Sequence, residues 1–338
     1  MEPTRKPTLI EFVLSQQKAH PEATGVFSIL LTQLALAGKI ISSEIKQASL
    51  LGQVGHTGGT NIYGEQVKKL DDFANKIFVQ TLKQSSIVCM VSSEEMEEPA
   101  HFESTGKGAK YAIVIDPVDG SSNTDVNGSL GSIFAVYPKI SPGEQGADMD
   151  LLQPGTRIVA AGYILYGPGT VFVYATKDGV NGFTLDINFG EFLLSHPNLK
   201  MPSQGKIYSV NESNYPGWSQ AMREFVDHLK SSDNPSGRPH SSRYSGSLTA
   251  DFHRILLEGG VYLYPEIEKN SQKFAKLRLL YEAAPLAFVA HHAGGNASTG
   301  TADILQIKPK DLQERVPLII GSAEDVALAE KFTRGEKS

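Results

Sequence analysis

The chain has 338 residues, enough for two domains or one large one and for a core that needs no disulfide or metal to hold it. Its 31 Lys plus Arg against 37 Asp plus Glu leave a formal charge of −6, which excludes a general polyanion binder and makes nucleic acid a poor first partner. The single cysteine, Cys89, rules out an intrachain disulfide and gives secretion no support.

The first residues are charged (Glu2, Arg5, Lys6, then Glu11 and Lys18) and lack the apolar core of a signal peptide. The apolar windows at 159–165 and 283–290 fall far short of the roughly 20 residues that span a bilayer, so a cytoplasmic protein with no membrane association is expected. Phe27, Leu30, Leu31, Leu34, Ala37, Ile41 and Ile45 recur at three- and four-residue spacing and predict a helix. A glycine-rich loop follows over 51–64, then a second helix with Val67, Leu70, Ala74 and Phe78 as its buried stripe. Beyond it, short apolar runs at 87–91, 111–115, 133–137, 159–166 and 171–174 read as strands. A polar stretch over 194–205, with Pro197 and Pro202, marks a domain boundary. A strand at 206–210, helices near 218–229 and 248–257 and a strand at 261–264 then suggest a smaller unit. The expected class is mixed α/β in two layered domains, residues 1–197 and 198–338.

Two acidic clusters stand where apolar runs end: Glu94-Glu95 and Asp116-Pro117-Val118-Asp119. Carboxylates gathered at strand ends repel one another unless cations neutralise them, and hard divalent cations such as Mg²⁺ take oxygen ligands. Taken alone, Glu94, Glu95, Glu97 and Glu98 read more readily as one exposed acidic turn. The second string is more specific, because Pro117 stiffens the turn, Gly120 permits unusual backbone angles, and Ser121 and Ser122 offer hydroxyls and amides to a phosphate. At about 100° per residue, Asp71 falls on the flank of the second helix's buried stripe and Asp72 on its solvent side. Glu65 lies where the loop meets that helix, and by periodicity is an ordinary acid of a first helical turn. Lys276 and Arg278 alternate with leucines and so emerge on one face of a short strand, ahead of Glu282 and an apolar helix over 283–293, a pattern that a salt-bridged surface would show as readily as a phosphate site. Arg243, Tyr244 and Tyr264 add further phosphate donors.

These strings together resemble class I fructose-1,6-bisphosphatase, within the lithium-sensitive, Mg²⁺-dependent sugar phosphatase superfamily. The resemblance rests on residues 64–71 (Gly-Glu-Gln-Val-Lys-Lys-Leu-Asp), Ser93-Glu94-Glu95, residues 116–123, Ser242-Arg243-Tyr244-x-Gly246-Ser247, Leu263-Tyr264-Pro265 and residues 276–282. It implies a fold of two stacked α/β domains with mixed sheets, an N-terminal metal-binding and regulatory unit and a C-terminal sugar-phosphate unit. It implies two or three Mg²⁺ ions, with Mn²⁺ or Zn²⁺ as substitutes, held by Glu94, Asp116, the carbonyl of Val118, Asp119, Glu282 and the loop acid Glu65. By the same resemblance Glu95 and Asp71 activate and deprotonate the attacking water, and Arg278 lies by the reacting phosphate. Asp119, Gly120, Ser121 and Ser122 border that phosphate. Asn211, Tyr215, Tyr244, Tyr264 and Lys276 hold the distal phosphate, with Arg243 supplied by a neighbouring subunit of a homotetramer. Thr24, Gly25, Ser28, Lys110 and Tyr111 match the pattern of members inhibited by AMP, whereas Val26 and Pro138 depart from it. The implied activity is hydrolysis of the 1-phosphate of fructose 1,6-bisphosphate in gluconeogenesis. Sedoheptulose 1,7-bisphosphate, alone or as a second substrate, is the nearest alternative; a non-catalytic sugar-phosphate sensor is the alternative outside enzymes.

Overall fold

A computed structural model describes residues 5–17, 25–51, 55–60, 66–103, 108–234, 237–269 and 272–336. Helix α1 (Leu9–Gln17) buries Leu9 and Val13. The periodic segment near Phe27 forms α2 (Val26–Leu51), which runs to Leu51, the first residue of the expected loop. Over Phe27–Ala48 this helix is long and apolar enough to cross a membrane, a span that the shorter windows singled out in the sequence did not reveal. Half of that window is nonetheless buried within the protein. Leu30, Leu31, Leu34 and Ile41 lie in the core, each burial contributing about 1.5–3 kcal/mol, and a side chain at Gly38 would meet Ile164 at 2.5 Å. The apolar stripe is a packing face.

After α2, β1 (His56–Thr60) and β2 (Gln66–Lys68) pair antiparallel, so the glycine-rich segment contains a short hairpin. Glu65 lies outside the described residues. Helix α3 (Lys69–Lys83) buries Leu70, Asp71, Ala74 and Phe78, whereas Asp72 pairs outward with Lys76. Val67 belongs to β2 rather than to the helix.

Strands β3 (Val88–Ser93), β4 (Ala100–His101), β5 (Tyr111–Asp119) and β6 (Leu130–Pro138) lead into a meander of β7 (Ala160–Tyr166), β8 (Thr170–Thr176), β9 (Gly179–Asp186) and β10 (Glu191–His196). They form one eight-stranded sheet, ordered β10-β9-β8-β7-β6-β5-β3-β4, with β3 and β5 its parallel pair. The continuous apolar run of β5 is covered on both faces: Ala112 and Val114 enter one core, Ile113 and Ile115 the other.

The second half supplies β11 (Ile207–Ser209), α4 (Gln220–Lys230), β12 (Ser241–Ser242), α5 (Leu248–Glu258) and β13 (Val261–Tyr264). A small hairpin of β14 (Ile267–Lys269) and β15 (Gln272–Phe274) precedes β16 (Leu277–Arg278). A π-helical turn over Leu279–Ala283 then opens into α6 (Ala284–His292), with Pro285 in its first turn. Strand β17 (Gly295–Ser298), β18 (Arg315–Val316), β19 (Leu318–Ser322) and α7 (Ala323–Thr333) complete the chain. The second sheet runs β12-β11-β13-β19-β17.

Five layers result. Helices α1 to α3 cover the outer face of the large sheet, α5 and α6 fill the space between the sheets, and α4 and α7 close the outer face of the second. The middle core is continuous from Cys89 and Val114 through Leu286 to Ile320, so both halves of the chain share it. Mixed sheets layered with helices agree with the expected α/β class.

Candidate active site

The site begins at the carboxyl end of β5. Its register against β6 slips between Asp116 and Asp119, which puts one extra residue on β5. Such a bulge re-aims side chains that strict alternation would send to opposite faces. Ser132 Oγ donates to the Pro117 carbonyl at 2.6 Å and the Val118 amide donates to Asp116 Oδ1 at 3.1 Å, holding the turn. Gly120 then takes a left-handed φ of 76° and opens a short 3₁₀ turn over Ser121–Val126. No side chain fits at Gly120, because its Cβ would lie 2.6 Å from that of Ser247.

A cavity of about 310 Å³ lies above this turn. Its acidic wall is Asp71 from α3, Glu94 and Glu95 after β3, Asp116 and Asp119 from β5, and Glu282 from the turn before α6. Val118, Gly120, Ser121 and Ser122 form its floor, and Tyr244, Tyr264, Lys276 and Arg278 face them. Of the residues expected at the site, these are the ones that the fold brings together.

Glu94, Asp116 and Glu282 each bring a carboxylate oxygen within 4.8 Å of the others. Burial, then the charge of Glu94, pushes both Asp116 and Glu282 well above the usual carboxylate range. Burial and the neighbouring Glu95 push Asp71 up to about 8, against the pull of Lys68. Asp71 Oδ1 is buried with no hydrogen-bond partner in the described structure. An all-oxygen donor set, mutually repelling and with a buried oxygen unused, fits a hard divalent cation. Arg278 provides part of the compensation: its guanidinium pairs with Glu94, its Nε donates to Gln313 at 2.9 Å, and its backbone amide donates to Glu282 at 2.6 Å.

Asp119 is used differently from Asp116. Its carboxylate accepts from Ser247 Oγ at 2.7 Å and from the amides of Leu248 and Thr249 at 3.2 and 2.7 Å, so it caps the start of α5 and joins the large sheet to the second half. Burial raises its pKa and those bonds oppose the rise. Lys276 Nζ stands 5.9 Å from the Tyr264 ring centre, a cation–π pair at the distal end of the cavity.

Three expected residues lie off the cavity. Asn211 lines a small neighbouring hollow with Tyr264 and accepts from Ser213, while its side chain also bonds Tyr244. Tyr215 donates to Asp227 at 2.7 Å beneath Lys230. Arg243 is exposed and donates to the carbonyl of Ser242. Conversely, Arg315 and Tyr262 line the cavity without having been singled out, Arg315 directly opposite Arg278 in the β16–β18 pair. An isolated arginine such as Arg315 carries no local signal in the sequence.

Two family profiles match the chain in succession: Fructose-1-6-bisphosphatase, N-terminal domain, over residues 7–197, and Fructose-1-6-bisphosphatase, C-terminal domain, over residues 201–334. Among curated relatives, the fructose-1,6-bisphosphatase class 1 of Maridesulfovibrio salexigens is 48% identical over 325 residues, covering 96% of each chain. That of Trichormus variabilis is 46% identical over 326 residues, covering 96% of this chain and 91% of its own. The crystal structure of Leishmania major fructose-1,6-bisphosphatase in holo form superposes with a TM-score of 0.89 at 37% identity, covering 97% of this chain and 99% of that one. The apo form gives 0.85 at the same identity and coverage. The chain therefore belongs to the class 1 fructose-1,6-bisphosphatase family.

Proposed function

We propose that this chain hydrolyses the 1-phosphate of fructose 1,6-bisphosphate, giving fructose 6-phosphate and inorganic phosphate. The observation that carries the reading is one cavity with a crowded acidic wall at one end and Tyr244, Tyr264 and Lys276 at the other, within a chain of this family. Glu94, Asp116, Glu282, the Val118 carbonyl and Asp119 are the residues that would hold Mg²⁺, with Mn²⁺ or Zn²⁺ as substitutes, and Glu65 is the added ligand. When bound, the cation supplies Lewis-acid charge against the transferring phosphoryl group.

The chain's own side chains do the positioning. The amides that follow Gly120 and the Arg278 guanidinium hold the 1-phosphate in line with the attacking water. Glu95 and Asp71 take the proton of that water. The water oxygen bonds to phosphorus as the bond to the C1 oxygen breaks, and the departing alkoxide recovers a proton. Tyr244, Tyr264 and Lys276, backed by Asn211 and Tyr215, bind the 6-phosphate. Arg243, which does not line the cavity of its own chain, reaches the site of a neighbouring subunit in a homotetramer. Residues 1–197 and 198–338 are the two domains of this arrangement, and the enzyme works in the cytoplasm.

A phosphate-release assay on fructose 1,6-bisphosphate, sedoheptulose 1,7-bisphosphate and fructose 6-phosphate, with Mg²⁺ or EDTA, tests the reading. Release from fructose 1,6-bisphosphate that stops with EDTA is expected; no release at any pH or metal concentration would sink it.

A further inference from the structure

Away from the catalytic cavity, a second hollow of about 600 Å³ opens between the segment after β6 and the chain leading to β18. Its surface is mainly apolar, built from Ile140, Met149, Leu152, Pro154 and Pro309. Ile140 and Met149 are 45% and 49% exposed and turn apolar surface to solvent from an otherwise polar loop. Three cations border it: Arg157, Lys308 and Lys310. Lys308 and Lys310 are exposed on either side of buried Pro309, so the backbone alternation turns the proline inward and both ammonium groups outward. Among the described residues, no carboxylate pairs with any of the three side chains.

The walls are preformed. Asp150 is fully buried and its carboxylate accepts from the amides of Ile140, Ser141 and Ala147 and from Ser141 Oγ, all between 2.6 and 2.9 Å. Lys139 Nζ bridges the same loop to the carbonyls of Ser141 and Gly143. These bonds fix the strands of chain that carry Ile140 and Met149, so a ligand would not have to order them. On the opposite wall, a Cβ at Gly155 would stand 2.7 Å from Leu305, which shows how closely the turn bearing Arg157 packs on the segment leading to Lys308.

From the apolar floor and the three uncompensated cations, we propose that this hollow is a binding site for a small amphiphilic organic anion, one with an aromatic or aliphatic body and at least one sulfonate-, phosphate- or carboxylate-type group. Its volume is that of a small-molecule site, and charge complementarity selects the anion. The apolar body covers Ile140, Met149 and Leu152 while the anionic group is held by Lys308, Lys310 and Arg157.

The probe is 8-anilinonaphthalene-1-sulfonate, titrated by fluorescence into the full-length chain with Mg²⁺, fructose 6-phosphate and phosphate present to fill the catalytic cavity. One saturable site per chain is expected, weakened about tenfold or more in Lys308→Glu/Lys310→Glu and independently in Met149→Glu. Both variants should keep the parent's circular dichroism and its kcat on fructose 1,6-bisphosphate. Unchanged affinity in both variants, loss of binding when the catalytic cavity is filled, or equal binding of uncharged N-phenyl-1-naphthylamine would each overturn the assignment. Displacement of the dye by an acidic, phenylalanine-containing peptide at lower concentration than by a free aryl phosphate would overturn it in favour of a peptide surface.

Discussion

Replacing Asp71 by Asn separates the cost of gathering carboxylates from the benefit of neutralising them. Burial and Glu95 move the folded value of Asp71 from 3.8 to about 8. Between those limits the folded chain holds a proton that the unfolded chain releases, so stability falls as pH rises through the window. At about 1.4 kcal/mol per pH unit, the contribution lost from pH 5 to pH 8 is about 4 kcal/mol. Asp116, Glu282 and Asp119 are shifted in the same direction and add to the parent's slope, so the difference between parent and variant isolates Asp71. Urea unfolding in EDTA at the two pH values is the assay. The Asn variant should be the more stable at pH 8, with its advantage shrinking by about 4 kcal/mol at pH 5. Mg²⁺ at a hundredfold excess over its dissociation constant should restore about 2.7 kcal/mol to the parent and much less to the variant. An equal difference at both pH values, or a parent that gains stability between them, would refute the account of Asp71 as a repelled, desolvated carboxyl.

Other substitutions address single features. Glu95→Gln should lower kcat about a hundred- to ten-thousandfold while leaving the urea midpoint near the parent's, and an unaltered kcat would remove Glu95 from proton transfer. Gly120→Ala meets both a left-handed backbone and Ser247, so it should cost about 2–4 kcal/mol in unfolding free energy together with most of the activity. A fully stable Ala variant would show that this turn has room. Arg243→Ala should raise KM for fructose 1,6-bisphosphate much more than it lowers kcat, and steady-state kinetics with light scattering on the same sample would tell a lost contact from a lost tetramer.

Parts of this molecule were legible in one dimension because their signals are local. The runs that became β3 and β5 end in acids, and a strand that ends in acids delivers them to one edge of a sheet. The 100° geometry of α3 separated Asp71 from Asp72, and burial follows that separation. Strands β9 and β10 had no such signal: Asn181, Gly182, Thr184 and Asp186 interrupt the apolar alternation, and β10 is an edge whose pairing to β9 is supplied by hydrogen bonds that composition does not encode. Arg315 was silent for a related reason, since its place opposite Arg278 depends on β18 finding β16 across a separation of more than thirty residues.

The acidic wall combines both cases. Each of its carboxylates has a local reason to be where it is in the chain, yet α3, β3, β5 and the turn before α6 bring them together only through the order of the large sheet and the seating of α6 beneath it. Left to local forces, such groups would separate, because burial and neighbouring charge disfavour the ionised forms of Asp71, Asp116 and Glu282. Their juxtaposition is imposed by the two apolar cores on either face of β5, which are large enough to hold an unfavourable cluster in place. A charge balance of −6 is in part the expression of that cluster: six of the 37 acids stand in one wall of one cavity, which is why the overall charge is a poor guide to what this protein binds.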